Sequence, residues 1–163
     1  MEDARRAVVG DVPRIVELAH ALRAELRPNK GGSLWLAREA WPEPLEQTYG
    51  DLVAREDAFV AVGTFDDAVL GFVVVVLESL RDGSRLGRVT DLYVEPEARA
   101  VGVGEALIDA AVACCVEAGC IGVDAVALPG DRAAKNFFEQ HAFTARALVM
   151  HRRLASPDAS PDA

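Results

Sequence analysis

Apolar residues recur at helical spacing near the start of the chain, where Val12, Ile15, Val16, Ala19, Leu22 and Leu26 fall on one stripe. That spacing predicts an amphipathic helix over residues 12–27, capped by Asp11, with Pro13 in a first turn that tolerates a missing N–H. Residues 6–9, just ahead of it, read as a short strand. PNKGG at residues 28–32 breaks the helix, and SLWLAREAWPEP follows with Trp35 and Trp41 but no clear period. Residues 45–55 read as a second helix.

The period then changes. Residues 58–65 and 69–77 are β-rich runs separated by DDA, the pattern of a hairpin. RDGSRLG is a polar turn, and residues 88–94 are the next strand. A helix over residues 104–118 is stopped by Gly119. Residues 123–128 form a further strand bounded by Pro129 and Gly130. Asp131 caps a short helix to about His141, and residues 143–154 return as a final strand. The order β-α-α-β-β-β-α-β-α-β predicts a layered α/β (α+β) domain over residues 1–154, a mixed sheet covered by helices. ASPDASPDA, residues 155–163, reads as a disordered tail.

Bulk properties narrow the partners. The 163 residues, 51% hydrophobic, suit one globular domain with a sizeable core. The longest apolar run, residues 68–77, is too short to span a bilayer, and the N-terminus has no apolar signal core, so neither membrane nor export is expected. Three cysteines, two of them neighbours at Cys114 and Cys115, do not form a secreted disulfide framework, which points to the cytoplasm. Arginine outnumbers lysine and alanine is abundant, as in GC-rich bacteria. A net charge of −9 argues against a nucleic-acid partner held through phosphates. The same field would draw in a small cationic amine or a basic peptide, although ordinary solubility explains it as well. His20, His141 and His151 are scattered without metal-ligand spacing.

RAVGVG at residues 99–104 stands between a strand and a helix. A helix start carries unpartnered N–H groups and the positive end of the dipole, and glycine lets a phosphate approach the backbone. Arg99 can add a charged fork for a phosphate oxygen. Two glycines alone favour a tight loop over a ligand site. Rival phosphate motifs fail: no Gly-Lys-Ser/Thr follows, and Leu107 stands where a dinucleotide fingerprint needs a third small residue.

Arg99-x-x-Gly102-x-Gly104, after LYVEP and before an apolar helix, resembles the acetyl-coenzyme A motif of the GNAT N-acetyltransferase superfamily. DRAAKNFFEQHAF, residues 131–143, is similar to that family's Asn-x-x-Ala-x-x-x-Tyr-x-x-x-Gly-Phe signature. The resemblance covers residues 6–154 and implies a mixed, mostly antiparallel central sheet flanked by helices. It implies acetyl-coenzyme A as cofactor, with Leu92, Tyr93 and Val94 along the pantetheine arm. Ala100, Val101, Gly102, Val103, Gly104 and Glu105 would offer N–H groups to the pyrophosphate, flanked by Arg99. Asp131 replaces the usual asparagine near pantetheine, Ala134 matches, and Ala142 replaces the usual glycine.

The resemblance also implies direct attack of an amine on the thioester, with the Val94 N–H polarising its carbonyl and no role for Cys114 or Cys115. The family's general-acid tyrosine falls at Phe138, which has no hydroxyl, so Tyr93, Tyr49, His141 or a water would have to substitute. Asp91, Tyr93 and Glu95 share one strand face and are the catalytic candidates. Val-Thr-Asp-Leu-Tyr-Val resembles the acidic strand of diamine and polyamine acetyltransferases, which makes Asp91 a candidate for holding a substrate ammonium; Asp124 and Trp35 are further acceptor-side candidates. The expectation is an N-acetyltransferase for a small cationic amine or basic amino group. The alternatives are a coenzyme A-binding domain without turnover and an acyltransferase for longer chains. Arg152 and Arg153 stand on a solvated strand end or a homodimer edge.

Overall fold

The computed structural model describes residues 1–156, so residues 157–163 of the expected tail lie outside the described residues. One mixed sheet runs in sequence order: β1 (Glu2–Arg6), β2 (Ala58–Phe65), β3 (Ala68–Ser79), β4 (Arg85–Val94) and β5 (Gly122–Ala125). Strands β1 to β4 pair antiparallel, and β5 joins β4 in parallel. The chain turns from β2 to β3 through Asp66 and Asp67, at φ of 47° and 68°, the left-handed pair that tight hairpins need.

Helices cover both faces of the sheet. On one side α1 (Val12–Leu26), α2 (Gly32–Arg38) and α3 (Leu45–Ala54) bury Ile15, Leu18, Leu45, Tyr49 and Leu52 against Phe72 and Val74. On the other, α4 (Val103–Glu117) packs Leu107, Ile108 and Ala111 on Ala61, Val73 and Val75, and α5 (Arg132–Gln140) adds Phe137 and Phe138 at the edge. A β-carbon on Gly63 would lie 2.6 Å from Val103 Cγ1, so glycine there is what lets α4 approach the sheet.

Strand β4 carries one irregularity. Val74 faces Asp91 and Val75 faces Val89, which leaves Thr90 as an extra residue, a β-bulge. By alternation alone Val89 and Asp91 would share a face. The bulge separates them: Val89 joins the α4 layer, whereas Asp91 and Tyr93 turn towards α1 and α3.

Three expectations are corrected, and one segment left without a period gains an element. The first strand lies at Glu2–Arg6, where it forms its ladder with β2, and not at residues 6–9. Asp11 does not cap α1; its carboxylate accepts from Arg5 twice at 2.8 Å and from the Val8 N–H, closing the turn before the helix. The aperiodic tryptophan segment contains the short helix α2, which buries Trp35. Residues 143–154 form no strand. Leu148, Val149 and Met150 are 83%, 90% and 87% exposed, and the sheet ends at β5 with no strand beyond it among the described residues. Among the described residues the segment's tie to β5 is the Arg146–Asp124 ion pair.

Candidate active site

Parallel pairing of β4 and β5 is confined to residues 86–89 and 122–125, and β4 continues to Val94 without its neighbour. The gap is a cleft of about 280 Å³ between β4, the chain after β5, α1 and α5. Of the residues expected at the site, Trp35, Asp91, Leu92, Tyr93, Val94, Arg99, Gly104, Asp131, Ala134 and Phe138 line it. A second depression lies over the turn at residues 78–82 and gathers only residues of that turn.

At one end the cleft meets the start of α4. Gly102 caps the helix at φ 87°, a conformation that favours glycine. The Ala106 N–H begins the helical ladder at 3.0 Å from the Gly102 carbonyl, and the N–H groups of Gly102, Val103, Gly104 and Glu105 have no acceptor among the described residues. Ala100 and Val101 precede them on the exposed surface, with the Val101 N–H turned back to Ala98 at 3.4 Å. The Val103 side chain is fully buried under the helix, so only its backbone can serve a ligand.

Arg99 crosses the cleft. Its Nε donates to the Val94 carbonyl at 2.9 Å, its Nη2 pairs with Glu25 Oε2 at 2.6 Å, and its guanidinium lies 5.6 Å from the Tyr93 ring centre. The Glu25 bond holds its pKa above the ordinary arginine value.

At the inner end lies a carboxylate. Asp91 is 3% exposed and accepts from the Tyr49 hydroxyl at 2.8 Å. Burial pushes its pKa up to about 6, a rise that the Tyr49 hydrogen bond and the charge of Arg23 hold back. Burial and the neighbouring Asp91 drive the Tyr49 phenol far upward, so it stays a hydrogen-bond donor. The Trp41 indole donates to Thr90 Oγ1 at 3.0 Å and the Trp41 carbonyl accepts from Arg23, which ties the bulge to α1.

Other candidates are engaged elsewhere. Glu95 pairs with Arg14 at 2.6 Å and does not line the cleft. Asp124 is held by Arg146, which lowers its pKa, and is also outside the lining. Asp131 accepts from the Ala134 N–H at 3.0 Å as the cap of α5. Phe138 presents an apolar ring between Phe137 and Phe143 at centroid distances of 5.7 and 5.2 Å. His141 is bonded to the Phe137 carbonyl at 2.7 Å. Cys115 is buried and its thiol is pushed to about 12, the opposite of an activated nucleophile.

Sequence reasoning missed Glu25, Val126 and Leu128 in the lining. Glu25 left no signal of its own, because it lies beside the apolar stripe of α1 on an exposed position, where a carboxylate is ordinary.

The profile of the acetyltransferase (GNAT) family matches residues 19–143, more than half of the chain. The chain therefore belongs to the GNAT family of acetyltransferases, whose members use acetyl-coenzyme A. No curated protein sequence matches it. Solved structures show the same fold at low identity. A tetramutant Bacillus halodurans protein has a TM-score of 0.79 at 17% identity, covering 93% of this chain and 99% of that one. An aminoglycoside acetyltransferase from an uncultured soil metagenomic sample, solved with sisomicin, has 0.71 at 19%, covering 95% and 96%. A ribosomal-protein-alanine N-acetyltransferase from Brucella melitensis biovar Abortus 2308 has 0.68 at 20%, covering 95% and 100%.

Proposed function

We propose that this acetyltransferase moves an acetyl group from acetyl-coenzyme A to a primary amine on a small cation or basic peptide, by direct attack. The observation that carries the reading is a single cleft joining unpartnered N–H groups at the head of α4 to a buried carboxylate, Asp91. The residues fit the cofactor: four free N–H groups and a left-handed glycine suit a pyrophosphate, and the edge of β4 at Leu92 and Val94 suits an amide-bearing arm. When bound, acetyl-coenzyme A supplies the activated acetyl group as a thioester.

This chain's residues do the rest. Asp91, ionised above about pH 6, accepts the proton of the incoming ammonium, and Tyr49 holds the carboxylate in place. Trp35, Leu22 and Phe138 exclude water from the path. Glu25, Asp91 and Asp131 outnumber Arg99 in the lining, which favours a cationic acceptor.

Calorimetric titration with acetyl-coenzyme A tests the cofactor half. The wild type should bind, and Gly104→Glu should not, because it sets a carboxylate at the cradle and its β-carbon would lie 3.3 Å from Phe137. No binding by the wild type would reduce the loop at Gly102 to a tight turn. A second reading, a coenzyme A-binding domain without turnover, is favoured by Phe138 standing where an acid is usual. Acetyl transfer to any member of an amine panel decides against it.

A further inference from the structure

Three carboxylates and one guanidinium line the cleft, and two of the carboxylates already have neutral partners: Asp91 takes the Tyr49 hydroxyl and Asp131 the N–H of Ala134. Glu25 is different. Its partner among the described residues is Arg99, at 2.6 Å, and the two belong to opposite walls, α1 and the loop that leads into α4. The pair is thus a clasp across the opening. Both side chains are partly exposed, at 41% for Glu25 and 43% for Arg99, so a ligand can reach either. Trp35 and Tyr93 line the same cleft.

We propose that Glu25 is the specificity residue that binds the acceptor's ammonium, and that Arg99 withholds it until a cofactor phosphate engages the guanidinium. The inference rests on the acetyl-coenzyme A reading above. A guanidinium binds phosphate at least as well as it binds carboxylate, through the same fork of N–H donors. Exchange is cheap, because an exposed ion pair contributes little and its loss is offset by the new one. Once Arg99 turns to phosphate, Glu25 is left as an unpaired carboxylate in a cleft that Trp35 and Tyr93 also line, a setting for an alkylammonium. The cofactor then raises the affinity for the amine, and by linkage the amine raises the affinity for the cofactor equally.

The test uses the full chain, unreactive coenzyme A and an alkylammonium panel of 1,4-diaminobutane, benzylamine and a lysine dipeptide, read by calorimetry. Glu25→Gln, on the exposed side of α1, should bind coenzyme A up to about fivefold tighter, since Arg99 loses its competitor. At least one amine should bind the coenzyme A-saturated wild type several-fold tighter than the free protein. That difference should vanish in Glu25→Gln and return in part in Glu25→Asp. Equal coenzyme A affinity in wild type and Glu25→Gln, or amines that bind equally with and without coenzyme A or not at all, would overturn the hand-over and leave the cofactor reading standing. Failure of both proteins to bind coenzyme A would overturn the two together.

Discussion

The Tyr49 hydroxyl donates to the Asp91 carboxylate at 2.8 Å, across the buried junction of α3 and β4. Burial holds the pKa of Asp91 at about 6, and the hydrogen bond favours the ionised form. With Asp91 as proton acceptor, kcat/KM should fall as pH drops through about 6. Tyr49→Phe removes the donor and should move that limb to higher pH, while Asp91→Asn should abolish it with most of the activity. A pH–rate profile of the three proteins is the check, and an unmoved limb in Tyr49→Phe would remove Asp91 from the chemistry.

The same carboxylate works against the fold. Its folded pKa, about 6, lies above the unfolded value of 3.8, so the folded state favours the protonated form. Stability should therefore fall as pH rises between those two values and stay low above them. The penalty above pH 6 is on the order of 3 kcal/mol. Asp91→Asn should be more stable than the wild type at pH 8 and equal to it near pH 4, measured by urea denaturation at both.

Phe138 faces the cleft with no polar atom. Phe138→Tyr adds a hydroxyl to a ring already packed between Phe137 and Phe143, and should raise kcat by about tenfold or more with little change in acetyl-coenzyme A affinity. Unchanged kcat in single-turnover measurements would show that the thiolate leaves without an acid from the protein.

Gly63 sets the distance between α4 and the sheet. Gly63→Ala would place a methyl 2.6 Å from Val103 and 2.9 Å from Leu107, both fully buried. The expected cost is about 1–3 kcal/mol in chemical denaturation. Cofactor affinity should fall as well, because Val103 opens the helix that carries the free N–H groups.

The local signals in the sequence held where structure is local. The stripe of α1, the Asp66–Asp67 hairpin, the glycine loop before α4 and the stop at Gly119 each rest on a few neighbouring residues, and each stands where the pattern placed it. What stayed hidden depends on distant partners. The bulge at Thr90 follows from β3 opposite it, the Tyr49–Asp91 bond joins residues 42 positions apart, and the Glu25–Arg99 clasp spans 74. Residues 143–154 show the reverse error: reading them as a strand supposed a partner beside β5, and among the described residues the sheet ends at β5.

The extra residue in β4 gives that strand an unusual tolerance. In a regular strand, losing one residue sends every later side chain to the opposite side of the sheet. Here Val89 and Asp91 already sit opposite Val75 and Val74, which are consecutive in β3. Loss of Thr90 would close the ladder and keep Asp91, Tyr93 and Val94 on their present sides, with only the anchor of the Trp41 indole gone. A lineage could therefore shorten this strand at one point and keep Asp91 and Tyr93 facing the cleft, so chain length in this region is a poor guide to whether a relative shares the candidate site.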